Sequence, residues 1–296
     1  MSPATSKIDL HVHTNQSEDG ELSPREVLAL AAEKGLSAIA FTDHDTTAAV
    51  DEGQNLAPGL GIDFLPGVEM TTLLGNIDVH VLGYLLDWKD SALGAACART
   101  RESRVAQARL RVARMRQLGF DIDFDRVLEV AAGRPPTSAI LMKVLRENFA
   151  RRRDEKLAPY VEGDRSDSPG LNLFLDYFTP GRPAYVPAET IDSAKAIEII
   201  LGARGVPVLA HPGRLAAKTV DALVSCGVAG IEVYCSNHTP EEEAFYLAFA
   251  SERKLLVTAG SDFHGPGRMT APLGRLRGGD VSMVGALRER RRKLFE

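Results

Sequence analysis

Short apolar segments alternate with amphipathic helical segments along most of this chain, and this alternation limits the folds that it can adopt. IDL at residues 8–10 and LSAIAFT at residues 36–42 are predicted strands. Between them, Ser23, Pro24 and Glu26 form the N-cap, the first-position proline and the capping-box glutamate of a helix. A strand–helix–strand order of this kind is typical of a mostly parallel α/β fold.

The same pattern returns in the last third of the chain. IDSAKAIEIILGARG leads into VPVLAH, TVDALVSCG leads into GIEVY, and Thr239-Pro240-Glu241-Glu242 begins a helix before LLVTAG. With DFLPGVE and IDVHVLGY, about seven strands can be counted, most of them followed by a helix. The sequence therefore predicts an α/β protein with a closed or nearly closed (β/α) barrel.

A block in the middle of the chain interrupts this pattern. Apolar side chains recur at helical spacing between Val105 and Met115, and a second helical stretch follows. We therefore predict a barrel made of residues 1–91 and 183–296. Residues 92–182 are predicted to form a helical insertion, a lid beside the active site.

Composition and charge argue against several classes of protein. The formal net charge is −5, which does not favour stable binding to nucleic acid or to an anionic membrane. Cys97, Cys226 and Cys235 are odd in number and widely spaced, which argues against a disulfide framework and fits a reducing compartment. The N-terminal residues lack the apolar run of a signal peptide, and no stretch resembles a membrane span. We therefore expect a cytoplasmic protein.

The placement of the histidines points to a metal centre. Six of the seven lie at or near predicted strands, mostly at the C-terminal ends. In a parallel barrel those ends converge on one face, where catalytic residues gather. Acidic residues occur at the same places. The candidate metal ligands are His11, His13, Asp19, His44, Glu69, His80, His211, Asp262 and His264.

These residue types indicate the chemistry of the ions. Imidazole and carboxylate ligands together suit Zn²⁺, Mn²⁺ or Fe²⁺ better than Ca²⁺, which prefers oxygen alone. The candidate groups exceed the needs of one ion, and a carboxylate such as Glu69 or Asp262 can bridge neighbouring ions. Centres with several metals activate water and clamp the oxygens of an in-line phosphoryl displacement. The sequence therefore predicts phosphoester hydrolysis with a metal-bound hydroxide as the nucleophile.

Five motifs occur in a fixed order along the chain: HVHTNQSEDG, FTDHDT, LPGVE, LAHPG and GSDFHG. Together they resemble the PHP (polymerase and histidinol phosphatase) family, most of all its stand-alone phosphoesterase branch, which includes nucleoside bisphosphate phosphatases. The resemblance covers roughly residues 7–90 and 183–275. It implies a distorted seven-stranded (β/α) barrel and an enzyme that releases phosphate from a small phosphorylated metabolite such as a nucleotide.

The resemblance also implies how the ligands are shared among two or three divalent ions (Mn²⁺, Zn²⁺ or Fe²⁺). The first ion would be held by His11, His13, Glu69 and Asp262. The second would be held by Glu69, His80 and His211. The third, which some members of the family lack, would be held by Asp19, His44 and His264. The residues assigned to catalysis are Glu69, Asp262 and His211.

Two positions depart from the family pattern. The nucleotide-phosphatase branch often reads Gly-Arg-Pro-His in the insertion, whereas this chain reads Gly133-Arg134-Pro135-Pro136, without the histidine. Arg134 is the candidate substrate-binding residue because a guanidinium matches phosphate with two parallel hydrogen bonds; an ordinary solvated arginine is the alternative. Cys235 stands where the family often has histidine after IEVY, and it is either a soft ligand or a small buried residue.

Three further residues have two interpretations each. His238 either faces the site or belongs to a surface loop. Asp43 and Asp45, on either side of His44, either orient imidazoles or serve as turn residues.

The function also has alternatives. A phosphodiesterase, either an exonuclease or a cyclic-phosphate hydrolase, would use the same metal chemistry. A non-catalytic, metal-stabilised binding module is the alternative from another class. The complete set of candidate ligands argues against that module, since a degenerate one would be expected to have lost several of them.

Overall fold

The structure is a computed structural model that describes residues 6–187, 189–213, 215–267 and 271–296. The chain divides into two compact units. We call Met1–Ala98 together with Thr190–Glu296 the barrel unit, and Arg99–Glu189 the helical unit. Both boundaries lie downstream of the expected limits of the insertion. No helix in the described ranges combines the length and the apolar character needed to cross a membrane.

The described part of the barrel unit contains a sheet of eight strands: β1 Ile8–Val12, β2 Ala38–Phe41, β3 Asp63–Leu74, β4 Ile77–Tyr84, β5 Ile191–Asp192, β6 Val206–Leu209, β7 Gly230–Cys235 and β8 Leu256–Gly260. Seven of them lie side by side in the order β1–β2–β3–β4–β6–β7–β8, and the short β5 pairs with β3 outside this row. Neighbouring strands in the row are parallel except at β4, which runs antiparallel to both β3 and β6.

The row of strands closes almost completely between β8 and β1. The Asp262 N–H donates to the His11 carbonyl at 3.0 Å, and the His13 N–H donates to the Phe263 carbonyl at 2.8 Å. These bonds lie just beyond β8, at the carboxyl ends of both strands. The predicted seven-stranded α/β barrel is therefore confirmed, and its seam runs between residues that were predicted to bind metal.

Helices follow most of the strands. Those described are α1 Pro24–Glu33, α2 Val50–Leu56, α3 Ser91–Gln117, α4 Phe124–Ala131, α5 Ser138–Arg152, α6 Ala158–Val161, α7 Pro169–Tyr177, α8 Ser193–Gly202, α9 Ala217–Ser225, α10 Pro240–Arg253 and α11 Ser282–Phe295. The predicted capping boxes are confirmed at the starts of α1 and α10, where Ser23 pairs with Glu26 and Thr239 pairs with Glu242. These local hydrogen bonds satisfy N–H groups that a helix start leaves unpaired.

The barrel unit has apolar clusters on the two faces of its sheet and beside its helices. One cluster joins residues of β1, β2, β3, β4, β6 and β8 to Val284 and Leu287 of α11. A second packs β1, β2 and β3 against α1 and α2, and a third packs β3, β4, β6 and β7 against α8, α9 and α10. Since all these strands are fixed by packing, the residues at their ends are held at defined separations.

The helical unit has its own core, which includes Met115, Leu145, Phe149 and Leu173. The helices predicted around 105–115 and 138–153 are confirmed as α3 and α5. Three short helices, α4, α6 and α7, were not predicted. Each spans fewer than ten residues, so too few turns repeat for the helical period to stand out. A lid role for this unit stays a prediction.

A glycine at the end of β8 provides a test of how tightly the seam is packed. A Cβ at Gly260 would lie 2.1 Å from the His11 Cβ and 2.6 Å from the His11 nitrogen. We expect Gly260→Ala to lower the free energy of unfolding by about 1–3 kcal/mol, because backbone and buried atoms must shift. Urea unfolding followed by circular dichroism measures this change.

Gly285→Ala is the matched control, since a Cβ at Gly285 in α11 meets nothing within 4 Å. It should leave stability unchanged or raise it by about 0.5–1 kcal/mol, as alanine favours the helix interior. Equal effects at the two positions would contradict a tightly packed seam.

Candidate metal centre

The carboxylate of Glu69 lies at the centre of a cluster of imidazole rings. Glu69 is on β3 and is fully buried. Three ring nitrogens surround its Oε2: His11 Nε2 at 3.1 Å, His44 Nδ1 at 3.1 Å and His13 Nε2 at 3.2 Å. Two more lie at Oε1: His80 Nδ1 at 2.9 Å and His211 Nε2 at 3.1 Å. Five of the predicted histidine ligands therefore meet on one side chain.

Strand direction explains how distant histidines reach Glu69. His11, His44 and His211 come at or just after the carboxyl ends of the parallel strands β1, β2 and β6, which share one edge of the barrel. His80 lies inside β4, which is antiparallel, and the register places it opposite Thr71, two residues beyond Glu69. Because β4 runs antiparallel to its neighbours, His80 reaches Glu69 from within its strand, whereas His44 and His211 reach it from just beyond the ends of theirs.

Four atoms in the cluster are buried without a hydrogen-bond partner among the described residues: His11 Nε2, His13 Nε2, His44 Nδ1 and Glu69 Oε2. An unsatisfied buried polar atom costs about 1–3 kcal/mol, so native proteins rarely keep several together. A divalent cation satisfies imidazole lone pairs and carboxylate oxygens at once. The donor set therefore fits metal ions.

The nine candidate side chains fall into overlapping groups. In each of three groups, every residue offers one ligand atom and these atoms lie within 4.8 Å of one another. The first group is His11, His13, Glu69 and Asp262. The second is His44, Glu69 and His80. The third is His13, Asp19, His44 and His264.

These groups differ in two respects from the sets that the family resemblance implies. His13 and His44 each lie in two groups, so each could serve either of two neighbouring groups. His211 is in none of the groups, yet its Nε2 is 3.1 Å from Glu69 Oε1, beside His80. All nine predicted residues are thus brought together in the barrel unit.

Asp262 and His211 adopt backbone conformations that non-glycine residues seldom adopt. Asp262 has φ 57° and His211 has φ 21°. Asp262 Oδ1 lies 3.3 Å from His13 Nε2, and its carbonyl accepts a hydrogen bond from His264 Nδ1 at 2.8 Å. Strained backbone of this kind clusters at functional sites, where surrounding contacts hold it in place.

The carboxyl groups of the cluster have lowered pKa values. Burial alone raises the pKa of Glu69, but the imidazoles of His44 and His11 outweigh burial and hold that pKa well below its usual range. Burial also opposes ionisation of Asp262, whose pKa is nevertheless lowered by His11 and His13. Both carboxylates are therefore ionised at neutral pH.

Two of the imidazoles, His11 and His13, respond in the opposite direction, whereas burial holds the pKa of His44 well below its usual value. Burial lowers the pKa of His13, but the neighbouring carboxylates of Asp262 and Glu69 outweigh burial and raise that pKa to about 10. Burial is likewise outweighed at His11, where Glu232 and Glu69 raise the pKa well above its usual value. In the ion-free protein both rings hold a proton that a bound metal must displace.

Ser17 links three of the predicted ligands through one hydroxyl oxygen. Its Oγ donates to Asp19 Oδ1 at 3.0 Å, accepts the His44 N–H at 3.2 Å and lies 3.2 Å from His13 Nδ1. Because the hydroxyl has a single hydrogen and Asp19 takes it, His13 Nδ1 must be a donor. In neutral His13 the lone pair is then on Nε2, which faces Glu69.

Asp43 holds the loop that contains Thr14 and Ser17. It is buried, and its carboxylate accepts hydrogen bonds from the Thr14 N–H at 2.6 Å, the Thr14 hydroxyl at 2.9 Å and the Ser17 N–H at 3.1 Å. Asp43 therefore orients ligands indirectly, through the loop that carries Ser17. Asp45 has φ 49° and accepts the Thr71 N–H at 3.2 Å, which fits its interpretation as a turn residue.

Glu232 was missed by the sequence analysis. It is fully buried on β7, its carboxylate lies 3.0 Å from His11 Nδ1, and it accepts the His211 N–H at 2.9 Å. An acidic residue between Ile231 and Val233 in an apolar strand was the signal that could have found it.

His238 has neither of its two predicted roles. It is buried, its Nδ1 donates to the Val233 carbonyl at 2.8 Å, and its Nε2 accepts the Gly213 N–H at 3.0 Å. It therefore fixes the loop after His211. Cys235 is also buried, burial raises the pKa of its thiol, and it is in none of the ligand groups of the described residues. These facts favour a small buried residue over a soft ligand.

Arg134 belongs to the helical unit, where it follows α4. Its Nε lies 3.4 Å from the Ala131 carbonyl, and the side chain is partly exposed. Its predicted contact with substrate phosphate stays a prediction.

Comparison with known proteins places this chain among phosphoesterases. Residues 9–122 match the family model of the PHP domain. The chain is 34% identical to a 3′,5′-nucleoside bisphosphate phosphatase of Chromobacterium violaceum, over 88% of each chain. It is 30% identical to a phosphoribosyl 1,2-cyclic phosphate 1,2-diphosphodiesterase of Eggerthella lenta, over 87% of this chain and 94% of that protein. It is 32% identical to a 5′-3′ exoribonuclease of Salmonella typhimurium, over 87% and 85%.

A solved structure shows the same fold. A candidate metal-dependent phosphoesterase from Bifidobacterium adolescentis is 28% identical and superposes with a TM-score of 0.79. The match covers 97% of each chain.

The raised pKa values of His11 and His13 predict that metal binding releases protons. His13, with a pKa of about 10, is protonated at neutral pH in the ion-free protein and must lose its proton to become a ligand. Calorimetric titration with Mn²⁺ in buffers of different ionisation enthalpy should therefore show net proton release. The release should shrink as the pH is raised toward the pKa of His13, and binding without release would contradict these protonation states.

Proposed function

The chain belongs to the PHP domain family of metal-dependent phosphoesterases. From that premise we propose that it is a phosphatase of small phosphorylated metabolites, and specifically of nucleotides. The observation that carries this proposal is the convergence of five imidazole nitrogens on the two oxygens of Glu69. Such a donor set, with several buried atoms lacking partners, is suited to two or three divalent ions (Mn²⁺, Zn²⁺ or Fe²⁺).

The proposed ligands follow the distances in the cluster. We propose that Glu69 would belong to two sets of ligands, because His11 and His13 lie at its Oε2 and His80 and His211 lie at its Oε1. Asp262 completes the first set, and the third set is Asp19, His44 and His264. When bound, the ions would supply the activation of water and the neutralisation of phosphate charge that phosphoester hydrolysis needs.

Charge in the cluster supports a requirement for metal. Glu69, Asp262 and Asp19 all have lowered pKa values despite burial, because imidazoles stabilise their ionised forms. In the ion-free protein, the protons on His11 and His13 offset part of this negative charge. Divalent cations that displace these protons would replace that positive charge and add to it, which suits the site to a phosphate anion.

The choice of a monoester over a diester rests on the relatives. The bisphosphate phosphatase is the most identical of the three relatives described above, at 34% against 30% and 32%. The cyclic-phosphate diesterase and the exoribonuclease support the phosphodiesterase alternative, because one metal centre can serve either reaction.

We propose that the enzyme works in the cytoplasm on a small-molecule phosphate ester. Its three cysteines are all free, which fits a reducing compartment.

Phosphate release by metal-reconstituted protein tests the proposed reaction. The panel holds nucleoside monophosphates and bisphosphates, a sugar phosphate, a cyclic phosphate and a short oligonucleotide, with products separated as well as phosphate counted. We expect release from a monoester, and we expect His11→Ala to lower it by about 100-fold or more, because loss of even an outer partner of a ligand costs about 10–100-fold.

Chelation followed by return of Mn²⁺ is the control, and it should restore the wild type but not the variant. Cleavage of only the cyclic phosphate or the oligonucleotide would replace the monoesterase proposal with the phosphodiesterase alternative.

We also propose that Arg134 binds the substrate phosphate, on the basis of the Gly-Arg-Pro motif that it shares with the nucleotide-phosphatase branch. Arg134→Lys keeps the charge but loses the paired hydrogen bonds of the guanidinium. We expect KM to rise about tenfold, the effect of losing roughly 1.5 kcal/mol, with Mn²⁺ affinity unchanged.

Arg126→Lys is the matched control. Arg126 lies in the same unit and is paired with Glu129 and Glu147, so its replacement should leave KM unchanged. Equal KM values for all three proteins would remove Arg134 from the substrate site.

A further inference from the structure

We propose that Glu232 is a positioning residue that prepares His11 and His211 to bind metal, an inference that rests on the proposed metal centre. Glu232 is buried on β7 beside both histidines. It joins two segments that are far apart in the sequence, the end of β1 and the loop after β6.

Glu232 selects one tautomer of His11. Its Oε1 and Oε2 lie 3.0 and 3.1 Å from His11 Nδ1. An ionised carboxylate only accepts hydrogen bonds, so His11 Nδ1 must carry the hydrogen. In the neutral ring the lone pair is then on Nε2, which faces Glu69 Oε2 at 3.1 Å and Asp262 Oδ1 at 3.4 Å. The tautomer that binds metal is thus fixed from behind the ring.

Glu232 also holds the backbone of His211. Its Oε2 accepts the His211 N–H at 2.9 Å, at a residue whose φ of 21° is unfavourable for a side chain with a Cβ. The hydrogen bond offsets part of that conformational cost. With this backbone in place, His211 Nε2 reaches Glu69 Oε1 at 3.1 Å.

The geometry assigns Glu232 a role different from that of a ligand. It approaches His11 at Nδ1, whereas the nitrogen that would bind the ion is Nε2, which faces Glu69. Both of its oxygens are already engaged by N–H groups. It is in none of the ligand groups found among the described residues.

Two features of β7 and β8 leave room for the Glu232 carboxylate beside His11. The register of β7 with β8 shifts between Glu232 and Tyr234, and an irregularity of this kind re-aims a side chain. On β8, a Cβ at Gly260 would lie 2.6 Å from Glu232 Oε1. A glycine at that position leaves room for the contact between Glu232 and His11.

Glu232→Gln is the informative substitution because it keeps the size of the side chain. One oxygen becomes an NH₂ group, which cannot accept a hydrogen bond. If the NH₂ group faces His211, the bond to its N–H is lost. If it faces His11, the ring must present a lone pair at Nδ1 and a hydrogen at Nε2, where it can no longer bind metal.

The probe is Mn²⁺ alone, titrated into metal-free protein and counted by the electron paramagnetic resonance of free Mn²⁺. We expect Glu232→Gln to weaken Mn²⁺ binding by about 10–100-fold, the usual cost of losing a partner behind a ligand. Glu243→Gln is the matched control. Glu243 is also a buried glutamate, but it binds Arg277, so its loss should leave Mn²⁺ affinity unchanged while lowering stability.

Circular dichroism and urea unfolding of the metal-free proteins separate folding from binding. If Glu232→Gln does not fold, Glu232→Asp takes its place; the shorter side chain keeps both acceptors but draws them away from His11, and weaker Mn²⁺ binding is again expected.

Folded variants that bind Mn²⁺ as the wild type does would overturn the role of Glu232 and leave the metal centre standing. A wild type that binds no Mn²⁺ would overturn the proposed metal centre, and the role of Glu232 with it.

Discussion

Glu69 is a fully buried carboxylate, and the rest of the barrel unit must stabilise its charge. A buried charge is tolerated only when it is paired or coordinates metal, because transfer out of water costs several kcal/mol. Glu69 is surrounded by imidazoles from the ends of β1, β2 and β6 and from within β4. No short segment of chain can supply such a shell. Closure of the strands into a barrel brings these imidazoles together. The antiparallel direction of β4 adds His80 to them.

Hydrogen bonds from outside the cluster determine which nitrogen carries the hydrogen in two of the imidazole rings. Ser17 does so for His13, and Glu232 does so for His11. Asp43 holds the loop of Ser17, and His238 holds the loop that follows His211. Each of these polar groups is buried, so each needs its hydrogen-bond partner to offset the free-energy cost of burial. Alignment of the ligands and stability of the surrounding loops thus come from the same contacts.

The proposed metal centre does not by itself select the substrate. Relatives that share most of this chain are named for the hydrolysis of a bisphosphate, of a cyclic phosphate and of RNA. A centre built on Glu69 can serve each of these reactions, because all of them break a bond to phosphorus. Selection among them must then rest on residues that touch the rest of the substrate. Arg134, in the helical unit, is the proposed example, and the missing histidine of its motif is the sequence difference to examine there.

The sequence by itself determined the features that depend on neighbouring residues. Capping boxes at Ser23 and Thr239, the alternation of strands and helices and the family motifs led to the barrel and to nine candidate ligands. Tertiary structure alone decided how those ligands meet. It showed that His13 and His44 stand between two groups, that His238 is structural and that Glu232 lies behind His11. These facts depend on distances between strands that are remote in sequence, and such distances are set by closure of the barrel and by the register of its strands. Local propensity carries no information about either, which is why a glutamate in an apolar strand gained a role only when the fold was known.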